Sequence, residues 1–113
     1  MDIVFENSKF EQECNNQRLL VKNQGADRAK RIRLRLDHLR YYANVLEDMR
    51  NLPGRCHELL YDRAGQLSLD LDHPYRLIFE PANEPIPTKL DGGIDWSQVT
   101  AVRIIGVENT HGK

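Results

Sequence analysis

The spacing of the apolar residues changes at Pro53-Gly54, and this change limits the chain to folds that combine helices with a sheet. Before it, the apolar residues recur as on one helix face, at Ile32, Leu36, Leu39, Ala43 and Leu46. After it, Leu67, Leu69 and Leu71 alternate with polar residues, which is typical of a strand buried on one face. Because Pro-Gly cannot continue a helix, we predict that the helix ends near Arg50 and that a sheet follows.

The remaining segments complete an α+β order. A β-prone segment opens the chain at residues 3–5, and Asn7-Ser8 offers N-cap residues for a first helix through Phe10, Cys14 and Leu19. Gly25 and Asp27 mark the break before the second helix. Further strands are predicted at residues 57–61, 67–71, 75–79 and 99–107, the last with apolar residues on both faces and hence in a central or well-covered position. The predicted order is β-α-α-β-β-β-β, an antiparallel-rich sheet with two N-terminal helices packed on one face.

Length and composition predict a cytoplasmic protein. The 113 residues suit one domain, 1–113, and the content of 40% hydrophobic and 29% charged residues is that of an ordinary folded chain. Because the sequence has neither a long apolar run nor a recognisable signal, we expect no membrane association. Cys14 and Cys56 are expected to be thiols that serve as packing groups. Since no zinc-like spacing occurs, we predict no metal and no cofactor.

The charge is unevenly distributed along the chain. Residues 1–57 carry eleven Lys/Arg and eight Asp/Glu, a net charge of +3, whereas residues 58–113 carry five and nine, a net charge of −4. The densest basic run contains Arg28, Lys30, Arg31 and Arg35, interleaved with the apolar stripe of the second helix. These residues are candidate RNA-binding groups at the edges of that stripe, because cations that contact phosphates carry much of RNA affinity. A solvated helix face explains the same run equally well.

Residues 51–79 carry a set of motif pieces in a fixed order. They are Pro53-Gly54, His57, Leu59, Asp62-Arg63, Gly65, Ser68 and the segment Tyr75-Arg76-Leu77-Ile78-Phe79. This order resembles that of HigB-type killer proteins in the RelE/ParE toxin superfamily, and the predicted element order resembles their fold. The C-terminal residues Glu108-Asn109-Thr110-His111 are similar to the closing Glu-Asp-Tyr-His motif of that family.

The resemblance implies a toxin that cuts messenger RNA on the ribosome without a metal. It implies that His57 and His111 transfer protons, and that Arg63 and Arg76 hold the scissile phosphate. Histidine suits proton transfer because its ordinary pKa lies near neutrality, and arginine suits phosphate because its planar fork binds two oxygens. The sequence leaves open which histidine is the base. It also leaves open an ion pair of Arg76 with Asp70 or Asp72 across the hairpin.

Three residues depart from the family pattern. Asn109 and Thr110 replace the aspartate and tyrosine of the terminal motif, and Leu60 stands where a lysine is common. The tyrosine offers a platform for base stacking and the lysine a phosphate contact. These departures leave three alternatives: an active nuclease, a toxin of ParE type that poisons DNA gyrase, and a catalytically inactive interaction module.

The resemblance also implies partners. A toxin of this kind is expected to have a cognate HigA-like helix-turn-helix antitoxin that is encoded beside it. Its expected target is the ribosome with its mRNA. The toxin and antitoxin are expected to form a hetero-oligomer that binds its own operator DNA through the antitoxin.

Overall fold

Asparagine side chains divide the N-terminal region into short helices. The computed structural model describes residues 1–109, and its first helix is α1 (Ser8–Cys14). The side-chain oxygen of Asn7 accepts hydrogen bonds from the backbone N–H groups of Lys9 and Phe10, as the predicted N-cap requires. Asn16 caps α2 (Gln17–Gln24) in the same way. The prediction of one helix continuing through Leu19 is therefore wrong, because a second cap starts a new helix.

The basic run lies on α3 (Ala26–Asp37), which follows Gly25 at a φ of 86°. A π-helical turn, His38–Tyr42, extends α3 to an end where the α-amino group of Met1 donates to backbone carbonyl oxygens. A positive group is favourable there because the last carbonyls of a helix lack partners. The prediction that this helix runs to Arg50 is wrong. Ala43 is extended, and Leu46–Asn51 is a separate 3-10 helix.

Five strands form one mixed sheet. They are β1 (Asp2–Phe5), β2 (His57–Glu58), β3 (Leu67–Asp70), β4 (Tyr75–Pro81) and β5 (Ala101–Asn109). The strand order is β1-β5-β4-β3-β2, with β1 parallel to β5 and the other neighbours antiparallel. The α+β class and the central position of the last strand are confirmed. The predicted strand 57–61 is shorter than expected, because a 3-10 turn, Tyr61–Arg63, follows it.

The alternation of side chains gives the sheet two different faces. One face packs with the helices in the core and carries, among others, Leu67, Leu69, Leu77, Phe79, Val102 and Ile104. The opposite face, here called the polar face, carries Ser68, Asp70, Arg76, Glu80 and Glu108. Because strand residues point alternately to opposite sides, the leucine spacing of β3 determines both faces at once.

The loop between β4 and β5 is held against the body of the protein by Trp96. This residue begins a short 3-10 helix, Trp96–Gln98, and its side chain is buried. Its indole N–H donates to the Glu58 carboxylate at 2.8 Å, and the Arg50 guanidinium lies 3.9 Å from the ring centre. A buried indole needs such an acceptor. No helix within residues 1–109 has the length and apolar character to cross a membrane.

We predict that Gly54→Ala destabilises the protein by more than Gly65→Ala. Both glycines have positive φ values, 113° and 95°. A Cβ at Gly54 would lie 2.9 Å from Nε of Arg35 and 3.1 Å from Cδ2 of Leu69, whereas a Cβ at Gly65 would meet nothing within 4 Å. The backbone strain costs about 1–3 kcal/mol at each position, and only the Gly54 variant adds a clash. Urea unfolding of the two variants measures the difference, and equal losses would contradict the packing argument.

Candidate active site on the polar face

Strand pairing brings His57, Ser68 and Arg76 together. His57 is the direct partner of Ser68 across β2 and β3, and Asp70 is the partner of Arg76 across β3 and β4. Directly paired residues point to the same side of a sheet. Nε2 of His57 lies 3.1 Å from Nη1 of Arg76, and the same Nη1 donates to the Ser68 hydroxyl at 3.3 Å. Two short-range polar contacts therefore join three strands.

The contacts of His57 determine which of its ring nitrogens carries the proton. Nδ1 lies 2.9 Å from the backbone carbonyl oxygen of Arg55, and a carbonyl oxygen can only accept a hydrogen bond. Nε2 faces Arg76, whose guanidinium can only donate. These two contacts fit the tautomer that carries the proton on Nδ1 and directs the lone pair of Nε2 at Arg76. This tautomer is the one that a base acting through Nε2 requires.

Asp70 holds two arginines at this site. Its carboxylate accepts from Nε of Arg55 at 2.6 Å and lies 3.5 Å from Nε of Arg76. The pairing of Arg76 with Asp70, left open from the sequence, is thus present, while Asp72 pairs elsewhere. The Arg76 side chain is only 15% exposed, so its guanidinium has few orientations available. Asp70 fixes the Arg76 guanidinium beside His57, and the Asp70 carboxylate also neutralises part of the guanidinium charge.

Arg63 reaches the polar face from the 3-10 turn that precedes β3. Its two terminal nitrogens lie 3.0 and 3.1 Å from the two carboxylate oxygens of Glu108. Its Nε donates to the side-chain oxygen of Gln66 at 2.7 Å. Glu108 is also the direct strand partner of Arg76. A groove of about 490 Å³, lined in part by His57, Tyr61, Arg63 and Glu108, lies along this arrangement.

Three of the four residues predicted for catalysis are therefore on one face of the sheet: His57, Arg63 and Arg76. The fourth, His111, and its neighbour Thr110 lie outside the described residues. Asp70 and Arg55 complete the site, although the sequence predicted no site role for either. Both residues occupy sequence positions that could have identified them. Asp70 alternates with the buried leucines of β3, and Arg55 precedes His57 by two positions.

The four basic residues predicted to bind RNA lie in different environments on α3. Arg28 pairs with Asp72 at 2.9 Å and lies 3.5 Å from the centre of the Tyr75 ring. Arg31 pairs with Asp27 at 3.4 Å, and Lys30 is exposed. The predicted position near solvent is wrong for Arg35, which is 8% exposed. The role of these residues in RNA binding stays a prediction, and Arg28 and Arg35 have structural partners.

Arg35 supports the site from beneath. Its Nε donates to the backbone carbonyl oxygen of Asp70 at 2.8 Å, and its side chain contacts Gly54. Burial lowers the pKa of Arg35, and the neighbouring Arg31 lowers it further. The Arg35 side chain thus crosses from the helix to the strand that carries Ser68 and Asp70.

Neither cysteine has the properties of a nucleophile. Burial raises the pKa of Cys14 to about 12 and that of Cys56 to about 12. Both side chains pack against the core, as expected from the sequence. A thiol with such a pKa stays protonated at neutral pH, and only the thiolate is a good nucleophile. Within residues 1–109 there is also no group of three His, Cys, Asp or Glu side chains placed to hold a metal ion.

Comparison with protein-family models finds no matching family, and comparison with curated proteins finds no matching relative. The assignment of a function consequently depends on the residues of the site.

We predict that Asp72→Asn destabilises the protein at pH 7 by about 1–2 kcal/mol and that this effect disappears in acid. The hydrogen bond from Arg28 holds the pKa of Asp72 below its usual 3.8. A lowered folded-state pKa stabilises the protein above pH 3.8, and this stabilisation is lost as the pH falls through the folded-state value. Urea unfolding at pH 7 and in acid measures both effects.

Glu47→Gln is the matched control for Asp72→Asn. Glu47 pairs with Arg50 at a similar distance, 2.8 Å, but both side chains are about half exposed. Exposed pairs contribute little, so we expect a loss below about 1 kcal/mol. A difference between wild type and Asp72→Asn that stays the same at both pH values would contradict the assigned ion pair.

Proposed function

We propose that this chain is a RelE/ParE-type toxin of the HigB branch that cleaves messenger RNA on the ribosome. The observation that carries the proposal is the contact between His57 and Arg76, 3.1 Å apart on the polar face. It places the Nε2 lone pair of an imidazole directly beside a guanidinium. A base beside a phosphate-binding cation is what cleavage by the ribose 2′-hydroxyl needs.

In the proposed reaction, Nε2 of His57 takes the proton of the 2′-hydroxyl. The O2′–P bond forms and the P–O5′ bond breaks, so one fragment ends in a 2′,3′-cyclic phosphate and the other in a 5′-hydroxyl. The departing O5′ takes a proton from an acid; with His57 as the base, we assign this role to His111, the other histidine to which the sequence resemblance gives a proton-transfer role. General acid–base groups of this kind contribute about 10²–10⁴-fold each.

Arg76 has to exchange partners when the phosphate arrives. A phosphate oxygen is charged and accepts stronger hydrogen bonds from arginine than a neutral imidazole nitrogen does. The substrate therefore draws Nη1 away from His57 and leaves Nε2 available to the 2′-hydroxyl. Ser68 and Asp70 keep the guanidinium in place during this exchange. A cation held in advance near the developing charge stabilises the transition state without reorganisation.

Arg63 likewise exchanges one partner for another, because an arriving phosphate competes with Glu108 for its guanidinium. Arg63 is 36% exposed and bound to Glu108 through both terminal nitrogens. Together the three site arginines and the two carboxylates that pair with them give a net charge of only +1. Such a site attracts free RNA weakly at physiological salt. A substrate presented by the ribosome does not depend on that attraction, which supports the ribosome-dependent form of the reaction.

The fold and partner proposals rest on different observations. A RelE-like topology is supported by the observed element order, with one N-terminal strand, helices, and four later strands. It is also supported by the motif order over residues 53–79. The HigA-like antitoxin, and binding to operator DNA through it, follow from the sequence resemblance.

One observation favours a second candidate, an inactive interaction module. The site arginines have carboxylate partners: Arg55 and Arg76 share Asp70, and Arg63 has Glu108. In a module that no longer binds phosphate, these ion pairs are permanent. In a nuclease, an arriving phosphate replaces the carboxylates as the partner of the arginines. Expression of the chain without an antitoxin separates the two candidates.

We predict that expression of the wild type arrests growth and produces mRNA fragments with 5′-hydroxyl ends. His57→Ala removes the base and Arg76→Ala the phosphate cation, so each is expected to lower cleavage by about 10²–10⁴-fold. Mapping of RNA 5′ ends in cells, and cleavage by purified protein with translating ribosomes, measure this loss. Arg40→Ala, an exposed arginine after α3, is the matched control and is expected to leave cleavage unchanged.

Three outcomes would contradict the proposal in different ways. Growth arrest with DNA damage and intact messages would indicate a gyrase poison of ParE type. A harmless wild type would favour the inactive module. Equal cleavage of ribosome-free RNA would remove the ribosome from the mechanism while keeping the nuclease.

A further inference from the structure

We infer that Tyr61 is a stacking platform for an RNA base next to the scissile phosphate. This inference rests on the proposed function, and it assigns a role to a residue that the sequence resemblance left without one. The Tyr61 side chain is 90% exposed, and the adjacent Leu60 is 68% exposed. Two large apolar side chains thus lie in solvent beside the groove that contains His57 and Arg63.

The backbone at Tyr61 is in the left-handed region, with a φ of 58°. This conformation is uncommon for residues other than glycine and costs about 1–3 kcal/mol for a side chain such as tyrosine. Strain of this kind persists where the surrounding structure imposes it, and it is frequent at binding sites. Because the Tyr61 ring is exposed, its burial in the folded chain does not offset this strain. A strained residue with an exposed ring points to a ligand.

The turn that carries Tyr61 is firmly attached to the site. Ala64 N–H donates to the carbonyl oxygen of Tyr61 at 3.0 Å, and Gln66 N–H donates to that of Arg63 at 3.0 Å. The Arg63 side chain then ties the turn to Glu108 on β5. The ring is therefore presented two residues from a phosphate-binding candidate, on a turn closed by its own backbone hydrogen bonds.

A single-stranded RNA base fits this environment better than a protein partner does. Bases stack on tyrosine whatever their sequence, while the adjoining phosphates bind arginine, so an aromatic ring beside cations suits alternating bases and phosphates. A protein segment covering the groove would instead have to desolvate Arg63 and Glu108 together, which is costly. The sequence resemblance gave the stacking role to the position now occupied by Thr110. Tyr61 supplies an aromatic ring to the groove from the turn that precedes β3.

The test is binding of a short single-stranded RNA that contains 2-aminopurine, at low ionic strength. A 2′-deoxy sugar at the cleavage position keeps the RNA intact, and stacking on Tyr61 quenches the 2-aminopurine fluorescence. Tyr61→Gly removes the ring and suits the positive φ, so its unfolding midpoint is expected to stay close to that of the wild type. We expect its affinity to fall by about 5- to 150-fold and the quenching to be lost. Tyr61→Phe keeps a ring and is expected to bind within about threefold of the wild type.

Tyr41→Ala is the matched control, because Tyr41 is also exposed, at 69%, but lies in the π-helical turn. It is expected to bind and quench as the wild type does. Wild-type affinity and quenching in Tyr61→Gly, or absence of quenching by the wild type, would overturn the inference. Cleavage that still depends on His57 would in that case leave the nuclease proposal standing. Conversely, quenching by the wild type with cleavage that survives His57→Ala would support the platform and contradict the nuclease mechanism.

Discussion

Asp70 joins the core, the turn before β2 and the catalytic candidates through four polar contacts. Its backbone carbonyl oxygen accepts from buried Arg35, and its N–H donates to the carbonyl oxygen of Gly54 at 2.8 Å. Its carboxylate pairs with Arg55 and Arg76. The residue thus uses its backbone to fix the loop and its side chain to orient the cations. The position of His57, two residues after Arg55, depends on this junction.

The buried Arg35 explains why such a junction requires a glycine nearby. A buried guanidinium is costly unless it is hydrogen-bonded; here Nε donates to the backbone of β3 in the space beside Gly54, while Nη1 is buried without a hydrogen-bond partner among the described residues. A methyl group at Gly54 would compete for that space. The helix, the Pro53-Gly54 turn and the site therefore depend on one another through packing as well as through charge. A residue that the sequence placed near solvent has a structural role instead.

The sequence predicted the sheet better than it predicted the helices, for a physical reason. Alternation of residues reports which face of a strand is buried, and the leucines of β3 identified the core face and, by exclusion, the polar face. Apolar spacing also reported burial correctly at Ala43 and Leu46, which are 1% and 0% exposed. Both residues nevertheless lie outside α3. Apolar spacing reports burial and does not report backbone hydrogen bonding, so it did not show where the helix ends. The ion pair of Arg28 with Asp72, 44 residues away, depends on tertiary structure and had no local signal.

The parallel pairing of β1 with β5 sets the order in which the protein can be completed. β1 is the first strand of the chain, yet its neighbour in the sheet is the strand that follows all the others. Because β5 also carries Glu108, the partner of Arg63, neither the sheet nor the site is assembled until residues 101–109 have been synthesised. Long-range pairing of this kind is slow to form. For a chain proposed to attack ribosomes, the site therefore stays incomplete while the residues before β5 are being translated.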